Sequence, residues 1–102
     1  MNNENNNDPM EIGLSNEIAQ GTYANLAIIT HSSSEFVLDF IRVMPGVPKA
    51  DVKSRVILTP EHAKRLLAAL NENIRKYENA YGPIRVYDNN VIPPITEIKG
   101  EA

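Results

Sequence analysis

TPEHAKRLLAALNENIRKYENAY, residues Thr59–Tyr81, is the stretch that decides the fold. Thr59 suits the N-cap, because its hydroxyl can accept a bond from a backbone N–H of the first turn. Pro60 fits the first helical position, where a missing N–H loses nothing. Ala63, Leu66, Leu67, Leu70, Ile74, Tyr77 and Tyr81 recur at helical spacing and form one apolar stripe. Glu61–Arg65 and Glu72–Lys76 have the spacing and order of stabilising pairs, each adding ~0.3 kcal/mol. Arg75 and Lys76 lie toward the C-terminal end, where cations suit the dipole, and Gly82-Pro83 stops the helix. A strong helix with one sticky face needs a sheet to cover.

Working outward, the third strand leads straight into this helix. Lys49–Leu58 places Val52, Val56 and Leu58 on one face and Asp51, Lys53, Arg55 and Ile57 on the other. Before it, Pro45-Gly46-Val47-Pro48 has turn chemistry. The second strand, Glu35–Met44, alternates Phe36, Leu38 and Phe40 with Val37, Asp39, Ile41 and Val43, so both faces are largely apolar. One helix covers one side, leaving the other in need of a partner.

The polar run His31–Ser34 is a hairpin-sized turn. The first strand is read from Glu17 to His31, bent or bulged at Gly21, with Ala24, Leu26, Ile28 and Thr30 toward the core. Met10–Leu14 alternates like a short edge strand. The expectation is an α+β unit: an antiparallel meander of three to four strands followed by one long helix packed on one face. Residues 1–9 are Asn-rich and polar and read as a disordered tail, residues 10–82 as the domain, and residues 83–102 as an extended or disordered C-terminal tail.

With 102 residues and no cysteine, the chain is at most one domain without disulfide or thiolate chemistry. The folded part is marginal alone, which points to a homo-oligomer, a dimer or dimer of dimers. No apolar run approaches the ~20 residues of a membrane span, and the start MNNENNNDP is no signal peptide, so the expected location is cytoplasmic. A net charge of −3 does not call for a polyanion, and nucleic acid is not expected as a partner of the chain on its own.

Residues with chemical potential have plainer readings. His31 and His62 follow no ligand pattern and read as polar edge residues, so neither metal nor cofactor is expected. Ser32-Ser33-Ser34 has no activating base at a recognisable spacing. Asp39, between apolar neighbours, either is a buried carboxylate or pairs across strands with Arg55 or Lys53; pairing is the plainer reading. Arg42, Lys49, Lys53 and Arg55 form a basic patch on the sheet, but it lacks interleaved aromatics and is diluted by Asp39 and Asp51. Interface candidates on the face opposite the helix are Val37, Ile41, Val43 and Ile57, with Tyr23 and Ile29 beside them. No catalytic residue emerges, and the chain is read as a non-enzyme.

The segments YANLAIITHSSSEFVLDF (Tyr23–Phe40), the Met44–Gly46 turn, SRVILTPEHAKRLLAALNENI (Ser54–Ile74) and Tyr77 resemble a small bacterial family of unassigned function, domain of unknown function three-four-six-seven. The resemblance spans Thr22–Tyr81 and leaves both tails outside. It implies a meander-plus-helix unit similar to the SecB-type export chaperone, a dimer of dimers. It also implies a partner in the large subunits of bacterial RNA polymerase, beside whose genes such genes lie in some lineages. The chain lacks the acidic character of that chaperone and its second C-terminal helix. The function these features imply is a non-catalytic, oligomeric protein-binding module associated with transcription, the alternative being a SecB-like holdase or adaptor chaperone.

Overall fold

The structure, a computed structural model, describes residues 9–87. Its elements are α1 (Asn16–Ala19), β1 (Leu26–His31), β2 (Phe36–Arg42), β3 (Asp51–Leu58) and α2 (Pro60–Tyr81). The three strands form one antiparallel sheet in the order β1-β2-β3, followed by the long helix, which makes the α+β arrangement expected.

The sequence signals at α2 act as their chemistry dictates. Thr59 Oγ1 accepts from the His62 amide at 3.2 Å, Pro60 opens the helix, and Arg65 pairs with Glu61 at 2.6 Å. Glu72 pairs with Arg75 at 2.7 Å, one residue nearer than the expected Lys76. The last turn holds no cation, so its carbonyls are not met by Arg75 or Lys76. Gly82 takes φ +96°, a conformation that strains any residue with a Cβ, and its amide donates to the Glu78 carbonyl at 2.8 Å. The Glu78 side chain then accepts from the Ile84 amide at 2.9 Å.

Two expectations at the N-terminal end are corrected. Residues Met10–Leu14 make no strand and lie exposed. Asn16–Ala19 is a helical turn rather than the start of β1, because the Ser15 hydroxyl caps it by accepting from the Ile18 amide at 3.2 Å. The β1–β2 hairpin is closed by Ser32, whose Oγ accepts from the Ser34 and Glu35 amides. At the other end, Asn25 imitates a strand residue. Its side chain donates to the Val43 carbonyl at 3.0 Å and accepts from the Val43 amide at 2.8 Å.

Strand register decides which faces meet. His31, Ile29 and Ala27 lie opposite Phe36, Leu38 and Phe40, which in turn face Leu58, Val56 and Ser54. The other face carries the rows Thr30–Val37–Ile57, Ile28–Asp39–Arg55 and Leu26–Ile41–Val52. Leu26 and Ile28 therefore do not share the face of Phe36 and Leu38. Val52 leaves the face of Val56 and Leu58, because the register shifts between Phe40 and Ile41 and leaves Lys53 as the extra residue of a bulge.

The largest correction concerns packing. The helix does not lie on its own sheet: α2 has no extended contact with any strand and no buried residue. Leu67 is 66% exposed, Leu70 54% and Tyr81 76%. A single residue, Thr59, separates β3 from α2. Among the described residues the buried ones are Leu38, Asp39 and Ile41, all on the middle strand, where β1 and β3 shield them from both sides.

Candidate functional site

Asp39 is the one buried charged residue among those described, 1% exposed at the centre of β2. Its cross-strand partner in the register is Arg55. Arg55 Nε donates to Oδ1 at 2.6 Å and Nη2 to Oδ2 at 2.8 Å, a two-pronged pairing that leaves neither carboxylate oxygen bare. The hydrogen bond from Arg55 holds the Asp39 carboxyl below its ordinary value of 3.8; burial pulls upward, and the guanidinium charge adds to the lowering. The same bond and charge raise Arg55. A carboxylate held ionised, with both oxygens engaged, is a poor general acid or base. Arg55, rather than Lys53, is the partner because Lys53 stands in the bulge.

The basic patch consequently divides. Arg55 is spent on Asp39. Arg42, Lys49 and Lys53 line a shallow, open depression with Met44, Val47 and Asp51, where Lys49 Nζ lies 4.0 Å from Asp51. Three cations and one carboxylate on an open surface, without an aromatic platform, make a solvated rim.

The six interface candidates also divide. Val37, Ile41 and Ile57 share the face of Asp39, with Val43 just beyond the end of β2. Ile29 stands opposite Leu38 on the other face, which corrects its grouping with Val37 and Ile41. Ile41 is 5% exposed within the chain, so it belongs to the core rather than to a free surface. Ile57 and Tyr23 are exposed. His31 stacks on Phe36 with ring centroids 5.3 Å apart, and the His62 amide is engaged by the cap of α2. Among the described residues no cluster of three or more His, Cys, Asp and Glu side chains has the makings of a metal site.

The surface that sequence reasoning missed is the α2 stripe itself, which it assigned to the core. Leu66, Leu67, Leu70, Ile74, Tyr77 and Tyr81 are all exposed along one side of the helix, and Tyr77 and Tyr81 touch at a ring distance of 4.9 Å. The C-terminal segment does not cover them within the described residues. Val86 is 92% exposed and Ile84 and Tyr87 are exposed as well, while Val91 and Ile92 lie outside the described residues, as does most of each tail. Among the described residues no helix is long and apolar enough to cross a membrane.

A three-stranded meander followed by an amphipathic helix with an exposed apolar stripe defines an α+β protein. The chain belongs to the family described as "Protein of unknown function (DUF3467)", whose model matches residues 1–86. The match takes in the Asn-rich N-terminus that the motif resemblance had left outside. Searches of curated proteins and of solved structures returned no match.

Proposed function

We propose that the chain is a non-catalytic, homo-oligomeric protein-binding module of the cytoplasm, acting as an accessory subunit of bacterial transcription with the large RNA polymerase subunits as its partner. The observation that carries the binding role is the uncovered stripe of α2. Contiguous apolar surface of this kind marks an interaction site. The small core argues the same way. Leu38 and Ile41 are the only buried apolar side chains among the described residues, and each is worth ~1.5–3 kcal/mol. Ordering the backbone opposes folding by ~1–2 kcal/mol per residue, so a single copy has little margin and assembly supplies the missing burial. The polymerase as partner draws on the family resemblance alone.

The second reading, a holdase or adaptor chaperone, is favoured by the same stripe, since an exposed row of leucines and tyrosines suits unfolded clients as well as one specific surface. Affinity capture from the native cell followed by mass spectrometry separates the two. Stoichiometric recovery of large polymerase subunits supports the accessory-subunit role; a broad set of unfolded clients supports the chaperone. Metal analysis tests the non-catalytic reading: a stoichiometric transition metal lost in the His31→Ala/His62→Ala double variant overturns it.

A further inference from the structure

The α2 stripe has a finer pattern than an amphipathic helix requires. Ala63, Leu67, Leu70, Ile74, Tyr77 and Tyr81 follow one another at alternating steps of four and three, the 3.5-residue repeat of a helix that pairs with another helix. The outward positions hold Glu61, His62, Arg65, Ala68, Ala69, Glu72, Arg75 and Lys76, all of them charged, polar or small. The two ion pairs within α2, Glu61–Arg65 and Glu72–Arg75, lie on this outer side and leave the seam clear.

We propose that α2 pairs with α2 of a second copy of this chain in antiparallel orientation. This rests on the homo-oligomer reading above and specifies its interface. Orientation follows from volume and charge. Antiparallel pairing sets Ala63 against Tyr81 of the second copy, Leu67 against Tyr77, and Leu70 against Ile74, so that the smallest seam residue receives one of the largest. Parallel pairing would stack Tyr81 on Tyr81 and leave Ala63 facing Ala63, a clash at one end and a void at the other.

The flanking positions give the same answer. Lys64 and Glu78 occupy equivalent flanking positions, two repeats apart on one side of the seam. Antiparallel pairing brings Lys64 of each copy to Glu78 of the other, twice by symmetry, with Asn71 meeting Asn71 at the centre. Lys64 has no ion-pair partner among the described residues. Glu78 gives its Oε2 to the Ile84 amide and keeps Oε1 for a second donor. Parallel pairing would set the flanking residues Leu66 and Asn73 against Asn71 and Glu78 and form no ion pair. The seam from Ala63 to Tyr81 is ~27 Å long. It lies on a helix that makes no extended contact with its own sheet.

The chain has no native cysteine, so single cysteines report orientation cleanly. The experiment uses the full chain with Asn71→Cys or Lys64→Cys, a short bis-maleimide, and light scattering of the unmodified protein at micromolar concentration. The expected result is a particle of at least twice the 11.3 kDa chain mass, cross-linking of Asn71→Cys to itself, no self-linking of Lys64→Cys, and linking when Lys64→Cys is mixed with Glu78→Cys. In the antiparallel pair the two Lys64 positions stand roughly 20 Å apart along the axis. An oligomer in which Lys64→Cys links to itself, or in which Asn71→Cys does not, overturns the antiparallel helix pair and leaves the oligomer reading standing. A folded monomer overturns both.

Discussion

Asp39 and Arg55 face each other directly across β2 and β3, and the guanidinium of Arg55 occupies both oxygens of a carboxylate that is 1% exposed. The carboxylate is buried and its partner is not: the Arg55 side chain is 55% exposed and lies as a lid over Asp39. This asymmetry sets how the pair responds to pH and to mutation.

Because the folded carboxyl titrates below its ordinary value of 3.8, the pair contributes stability that is fully present above that value. The contribution is lost as pH falls through the lower folded value. Arg55→Ala removes the lid and leaves a buried charge unpaired, so Asp39 should titrate higher and acid unfolding should begin at a higher pH. Urea unfolding measured from pH 2 to pH 7 should show the wild-type and variant curves converging at the acid end and separating toward neutrality. Parallel curves would mean that the pair adds nothing.

Removing the helix cap should act locally and modestly. Thr59→Ala deletes the acceptor for the His62 amide and should lower stability by about 1 kcal/mol, whereas Thr59→Ser should retain most of it. Thermal melts followed by circular dichroism should show a fall of roughly 4–8 °C for the alanine variant.

Gly82→Ala tests backbone strain without steric conflict. No atom lies within 4 Å of where the new Cβ would stand, so any loss comes from holding φ at +96°. The expected destabilisation is about 1 kcal/mol, with faster hydrogen exchange at residue 82 as its bond to the Glu78 carbonyl loosens.

Neighbouring rows of the sheet should respond very differently to charge. Ile41 is 5% exposed between Leu26 and Val52, and Ile41→Asp should abolish the cooperative unfolding transition. Lys53 is exposed and stands at the bulge, so Lys53→Asp should stay within about 0.5 kcal/mol of wild type. A folded Ile41→Asp protein would show that the middle strand is not the core.

Local chemistry was legible where it is self-contained. Thr59, Pro60 and Gly82 determined both ends of α2, because caps and stops act within a turn of the chain. Alternation determined β2 and β3 to within two residues at each end, and Ser32 determined the hairpin turn between β1 and β2. The capped turn at Asn16–Ala19 was also signalled, by Ser15, but the apolar alternation around it read as strand.

Only the tertiary structure decided what depends on elements meeting. Alternation gives the parity of side chains within one strand; hydrogen-bond register between strands decides which parities share a face. That is why Leu26 and Ile28 joined Ile41 and Asp39 rather than Leu38, and why the bulge at Lys53 carried Val52 across. The choice of Arg55 over Lys53 for Asp39 follows from the same register. The stripe of α2 announced that something must cover it, but periodicity carries no address. Among the described residues α2 makes no extended contact with the sheet and its stripe faces outward, an outcome set by how the elements meet and not by their periodicity.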